Sequence, residues 1–286
     1  MNSERLIRFQ HPQKVLGYLG RLGDDRIADL FGLDVDVYRR TRRAYGAQAR
    51  AAATDLLSDP GFAAKVDRLP FEPGQRVMAI GESTTGDLLS WFEILRHLLD
   101  LRRPADAITL INTAVSGQTT TQALAALPGL CLQRPDWVLC MLGANDVQRL
   151  RSAEDPADGP ALVSLAETER NLRALRELAA RRTTARWVWL TPPTVDEARV
   201  AAYPPFQHLG ITWANRDIDA VGHIVTRLPD SAVDTRPVIA GRTAEPFHTE
   251  DGLHLSLTGQ RALAAALVDA LADAPGSRSS SAPPAA

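Results

Sequence analysis

Four short segments of the 286-residue sequence carry residue types that do chemistry together: GESTTGD at 81–87, NTAVSGQTT at 112–120, GAND at 143–146 and DGLH at 251–254. Ser83 becomes a nucleophile once a base takes its proton. In Asp251-Gly252-Leu253-His254 the three-residue spacing can set a carboxylate against one imidazole nitrogen while the other faces outward. An attacked carbonyl develops an oxyanion that needs donors; Gly117 permits close backbone approach and Asn145 offers an amide N–H. Each residue alone has a plainer reading, Ser83 as a turn or N-cap residue, Gly117 as a turn glycine, Asn145 as a loop cap and His254 as a surface histidine. Their joint occurrence points to one catalytic site. A phosphate-binding loop is a poorer reading of the first segment. Gly81 and Gly86 have its spacing, but Asp87 occupies the lysine position and would repel a triphosphate.

Such residues converge only if the chain brings distant loops to one edge. From about residue 73, candidate strands at 76–80, 107–112, 136–142, 186–191 and 231–235 alternate with candidate helices at 87–100, 119–127, 161–181, 212–228 and 257–272. Short apolar strands separated by helices predict a doubly wound α/β fold, a parallel sheet covered on both faces. The first three reactive segments fall at carboxyl ends of strands, where ligand chemistry gathers in such sheets. DGLH lies just before the last helix.

The ordered set Gly81-Glu82-Ser83, Asn112 through Ser116-Gly117, Gly143-Ala144-Asn145-Asp146 and Asp251-x-x-His254 resembles the SGNH, or GDSL-type, hydrolases. The likeness covers roughly residues 75–272, and RPDWVLCMLGAND at 134–146 is similar to the third block of the esterase and thioesterase branch. It implies a three-layer α/β/α flavodoxin-like fold with a five-stranded parallel sheet and metal-free, cofactor-free acyl-ester chemistry. Ser83 would be the nucleophile, His254 the base and Asp251 its partner. The Ser83 and Gly117 backbone N–H groups and the Asn145 side chain would form the oxyanion hole. Three positions depart from the family pattern: Glu82 replaces the usual aspartate, Leu255 the proline that often follows the histidine, and Ala114 a glycine. The resemblance leaves hydrolase, acyltransferase and a catalytically silent binding module as alternatives.

Residues 1–72 read as a helical N-terminal extension, 73–273 as the catalytic domain and 274–286, small, polar and proline-rich, as a disordered tail. A helix-turn-helix over 26–43 would place Asp34 and Asp36 against DNA, which disfavours it. A helical cap that shapes the acyl pocket or a homodimer contact is the better expectation. Net charge is −2 and the chain is 45% apolar and 23% charged, so no nucleic-acid partner is expected. No apolar run reaches the length of about 18 residues that spans a bilayer, and no signal sequence is evident, so a soluble, cytoplasmic protein is the expectation. Only Lys14 and Lys65 are lysines among 32 basic residues, which carries no functional implication. Cys131 and Cys140 lack metal-like spacing, and Cys140 reads as a buried free thiol. The expected partner is a small-molecule acyl ester, with pocket walls drawn from Trp91, Val147, Gln148, Pro193 and Phe206. His248, three residues before Asp251, is the other histidine of interest.

Overall fold

Alternate side chains of three central strands go to opposite faces, and this sorting builds the molecule. In the computed structural model, which describes residues 3–16, 22–151, 159–240 and 245–273, the expected tail at 274–286 lies outside the described residues. β1 (Arg76–Gly81), β2 (Thr109–Asn112), β3 (Trp137–Met141), β5 (Arg186–Leu190) and β7 (Ser231–Val233) form one parallel sheet in the order β2-β1-β3-β5-β7. β4 (Arg149–Leu150) and β6 (Ile211–Thr212) make a separate antiparallel pair. Val77, Ala79, Leu139, Met141, Val188 and Leu190 enter one core; Met78, Ile80, Val138, Cys140, Trp187 and Trp189 enter the other. A period of two along buried strands dictates that division.

Helices cover both faces. α1 (Ser3–Phe9), α2 (Pro12–Val15), α3 (Asp24–Leu30), α4 (Val35–Leu57) and α5 (Pro60–Asp67) precede the sheet. The single turn α6 (Ser83–Gly86) and α7 (Trp91–Arg102) follow β1, α8 (Thr120–Cys131) follows β2, and α9 (Leu165–Ala180) precedes β5. α10 (Glu197–Ala202), α11 (Pro204–Leu209) and α12 (Asn215–Val225) lie between β5 and β7, and α13 (Arg236–Ile239) and α14 (Leu257–Ala272) follow. α4, α5, α7 and α14 contribute to the first core; α8, α9 and α12 contribute to the second. Ala49, Ala52 and Ala53 put the small-residue face of α4 into the first core, so part of the N-terminal extension shares the apolar interior of the sheet. A third cluster of Ile7, Ile27, Ala28 and Tyr38 joins α1, α3 and α4. Among the described residues, no helix is long and apolar enough to cross a membrane.

Local chemistry explains where elements differ from the expected bounds. The second strand starts only at Thr109, because Ala107 is left-handed (φ 49°) after a 3-10 turn at Pro104–Asp106. The helix expected from 87 starts only at Trp91, since Asp87 is non-helical and Ser90 starts α7 by accepting from the Glu93 N–H; the single turn α6 precedes it. Ile211 and Thr212 pair with β4, which delays α12 to Asn215. The chain moves from β1 outward to β2 and then returns to the other side for β3. The carboxyl ends of β1 and β3 therefore flank the crevice where an open α/β sheet binds ligands.

Candidate active site

The strand order brings Ser83 and His254 together although 171 residues separate them. Ser83 opens α6 directly after β1, and its Oγ lies 3.0 Å from His254 Nε2. His254 Nδ1 lies 2.7 Å from Asp251 Oδ2, a geometry in which Nδ1–H donates to the carboxylate and leaves Nε2 to accept the serine proton. The D-x-x-H spacing works through a local turn. Asp251 Oδ1 accepts from the Leu253 and His254 N–H groups, each at 2.9 Å, and from Thr249 Oγ1 at 2.9 Å, so the second oxygen alone faces the imidazole. Burial alone would raise the Asp251 carboxyl, but hydrogen bonds from His254 and Arg5 outweigh it and hold the group well below the ordinary carboxylate range.

Gly117 stands at the end of the second loop with φ 79°, a backbone conformation that favours glycine. Neither its N–H nor that of Ser83 has a hydrogen-bond partner among the described residues. Asn145 follows Gly143, whose φ of 116° turns the chain after β3 where a Cβ would lie 2.6 Å from Val221 Cγ1. The Asn145 side chain is already engaged. Its Nδ2 donates to Glu82 Oε2 at 2.8 Å and to the Gln118 carbonyl at 3.2 Å.

The family model for the GDSL-like Lipase/Acylhydrolase family matches residues 78–262. The chain belongs to this family. The fold is shared with solved structures at low identity. LAE5, an alpha/beta hydrolase enzyme from the metagenome of Lake Arreo, Spain, is 22% identical with a TM-score of 0.54 over 71% of this chain and 97% of its own. A catalytic mutant of Axe2, an acetylxylan esterase from Geobacillus stearothermophilus, is 22% identical with a TM-score of 0.56 over 74% of this chain and 100% of its own. The lipase/acylhydrolase from Enterococcus faecalis is 20% identical with a TM-score of 0.53 over 69% and 95%. Among curated proteins, none matches the chain. These likenesses agree with the expected three-layer fold, and the family is one of ester hydrolases.

Within this GDSL-like chain, Glu82 braces the site through Asn145. Its side chain is fully buried, and Oε2 accepts from both the backbone N (3.2 Å) and Nδ2 of Asn145. Glu82 Oε1 has no hydrogen-bond partner among the described residues. Burial pushes the carboxyl up to about 8, against opposing pulls from the Asn145 and Ala144 backbone hydrogen bonds. An ordinary carboxyl near 4.5 ionises in the unfolded chain while the folded group keeps its proton, so between pH 4.5 and about 8 stability falls as pH rises. Glu82→Gln removes that proton linkage. Urea unfolding from pH 5 to 8 should therefore show a flatter stability profile in the variant, and equal slopes would contradict a protonated Glu82.

The expected pocket walls divide into core and edge. Trp91 faces inward, fully buried, with Nε1 donating to Thr85 Oγ1 at 3.2 Å and its backbone N to Gln260 Oε1 at 2.8 Å; it supports the Ser83 turn and is not a pocket wall. Val147 and Pro193 are also buried, and Val147 belongs to the second core, so neither presents an open wall. Gln148 is half-buried, while Phe206 packs between Tyr203 and Trp213. His248 Nε2 binds the Thr194 carbonyl at 2.7 Å, which makes it a tie for the loop after β5. Asp87, the residue in the lysine position of the rejected phosphate loop, accepts from Arg8 Nε at 2.8 Å and Nη2 at 2.7 Å. Cys140 is buried, Cys131 is half-buried, and both are free thiols. Among the described residues, no three His, Cys, Asp or Glu side chains group as a metal site requires.

Sequence reasoning missed the contribution of α1. Arg5 Nη2 donates to Asp251 Oδ2, and the Phe9 ring lies 4.4 Å from the His254 ring. The segment continues across the crevice: Ser116 Oγ donates to the Phe9 carbonyl, His11 Nε2 contacts Gly86 O at 2.6 Å, and Lys14 donates to Ala114 O at 2.9 Å. Burial and the nearby Lys14 lower the His11 imidazole to about 4, and burial lowers Lys14 to about 8. No motif in SERLIRF at 3–9 marks these residues, since an arginine in a short amphipathic helix carries no sign of the partner it meets.

Proposed function

We propose that the protein is a serine esterase that cleaves carboxylic esters through an acyl-enzyme on Ser83. The observation that carries this reading is the continuous pair of contacts from Ser83 Oγ to His254 Nε2, 3.0 Å, and from His254 Nδ1 to Asp251 Oδ2, 2.7 Å. His254 takes the Ser83 proton as Oγ bonds to the ester carbonyl carbon, and the carbonyl electrons move onto oxygen. The Ser83 and Gly117 N–H groups, without other partners among the described residues, donate to that oxyanion. Asn145 Nδ2 joins them by releasing its longer bond, the 3.2 Å contact to Gln118 O, while Glu82 keeps the amide aimed. Collapse of the tetrahedral species breaks the C–O bond, and His254 returns the proton to the leaving alcohol. Water, deprotonated by His254, then attacks the acyl-enzyme; the acid leaves and Ser83 regains its proton.

Fluorophosphonate labelling followed by a chain-length series of p-nitrophenyl esters tests the assignment. Labelling at Ser83 with ester hydrolysis is expected. Labelling without hydrolysis would transfer the same chemistry to an acyltransferase, and absence of labelling would favour a silent binding module. Asn145→Ala should lower kcat by about 10²- to 10³-fold with KM changed far less, because its donor strengthens only as the oxyanion forms. Steady-state kinetics on one p-nitrophenyl ester measures that division; a change confined to KM would remove Asn145 from the oxyanion hole.

A further inference from the structure

The triad carboxylate has more hydrogen bonds than positioning requires. Asp251 Oδ1 is held by Thr249 Oγ1 and two backbone N–H groups, which set its plane, and Oδ2 is shared by His254 Nδ1 and Arg5 Nη2. The Arg5 guanidinium also lies 3.4 Å from His254 Nδ1. Its own placement comes from two aromatic rings, with Cζ 5.4 Å from the centroid of Phe9 and 5.6 Å from that of Tyr203. What Arg5 alone brings to this cluster is a fixed positive charge beside a fully buried carboxylate.

Resting on the serine-esterase reading above, we propose that Arg5 is a positioning residue of the triad: it supplies Asp251 with a counter-charge that leaves His254 neutral and ready to accept the Ser83 proton. A buried carboxylate without a cation is strongly disfavoured. If Arg5 were neutral, the nearest group able to supply that cation is the imidazole itself, by holding a second proton, and a protonated His254 cannot act as base. The other charged or titratable groups around the histidine have their own partners. Arg8 pairs with Asp87 and donates to the Leu255 carbonyl, Arg199 donates to the His248 and Thr249 carbonyls, and His248 binds Thr194 O. The Arg5 hydrogen bond is also among the causes that depress the Asp251 carboxyl. Arg5 lies outside the stretch matched by the family, so this counter-charge comes from the N-terminal extension of this chain.

The anchoring of the segment makes the charge dependable. Arg8, on the same helix, forms a two-pronged pair with buried Asp87 just beyond the nucleophile turn, and the Leu88 N–H donates to Arg8 O at 3.2 Å. Arg5 is thereby tied to both ends of the catalytic contact, at the Ser83 loop through Arg8 and at the His254 loop through Asp251.

Full-length wild type, Arg5→Gln, Arg5→Met and Arg5→Lys, with Ser83→Ala as control, are to be compared for kcat/KM on p-nitrophenyl acetate from pH 5 to 9, alongside thermal melts. Gln retains a donor for Asp251 without the charge, and Lys retains the charge. The acid limb should move to higher pH by about one unit in Arg5→Gln and Arg5→Met, a roughly tenfold loss on the acid side, and stay near the wild-type position in Arg5→Lys. Superimposable limbs in the Gln and wild-type proteins would overturn the proposal, as would a pH-independent loss that Lys does not rescue. An inactive wild type, or a Ser83→Ala protein as active as wild type, would instead overturn the esterase reading.

Discussion

Ser83→Ala should reduce ester hydrolysis by about 10⁴- to 10⁶-fold while leaving the melting temperature within a few degrees of wild type. The size follows from the proposed role: without Oγ no acyl-enzyme would form, and only the proposed oxyanion donors and binding would remain to assist water. The small effect on stability follows from the surroundings. Ser83 is 8% exposed, and the bond that its Oγ makes among the described residues is the one to His254 Nε2, so alanine deletes one exchangeable contact at the edge of a crevice. Initial rates on p-nitrophenyl acetate, with circular dichroism melts of the same preparations, measure both quantities. Wild-type turnover in the variant would remove Ser83 from the mechanism.

Asp251→Asn carries the second largest expected effect, about 10⁴-fold in kcat, by a different route. Asn can present its oxygen to Thr249 Oγ1 and to the Leu253 and His254 N–H groups, as Asp251 Oδ1 does, and so keep the turn. Its NH2 then faces His254 Nδ1 and Arg5 in place of Oδ2. Two donors cannot satisfy each other, so the imidazole moves its proton to Nε2, the nitrogen that must accept from Ser83. The nucleophile is present but has no base. Single-turnover acylation with p-nitrophenyl acetate should therefore slow together with steady-state turnover, and acylation at the wild-type rate would show that Asp251 does not set the tautomer.

The two variants separate the roles proposed for Ser83 and Asp251, and the Arg5 series adds the charge beside them. Arg5 and Asp251 share Oδ2 with His254, so their substitutions are coupled and need not add. The expected signatures still differ: loss of Asp251 acts at every pH, whereas loss of Arg5 acts mainly on the acid side.

Much of this arrangement was legible in the sequence for reasons of periodicity and spacing. Short continuous apolar runs at 76–80, 136–142 and 186–191 indicated strands buried on both faces, and the D-x-x-H spacing signalled a carboxylate set against one imidazole nitrogen, as the Asp251–His254 contact has it. The pocket walls were less legible. Aromatic and apolar residues beside a reactive loop have the same composition whether they line a crevice or fill the core beneath it, and Trp91 fills the core. Glu82 stood out as a departure from the family pattern, but its contact with Asn145 and its raised carboxyl arise from burial between β1 and the loop after β3.

By itself the sequence determined the parallel α/β layers, the family, and the serine, aspartate and histidine whose order and spacing signal acyl chemistry, because each rests on local periodicity or on a short motif. Only the tertiary structure decided which oxygen and which nitrogen meet, and that Arg5 and Phe9 of the first helix stand at Asp251 and His254. Arg5 and Asp251 are 246 residues apart, and their encounter depends on how α1, α3 and α4 pack around Ile7, Ile27 and Tyr38. Packing over that separation leaves no periodic trace, so an arginine that completes a buried ion pair looks the same in sequence as one that faces water.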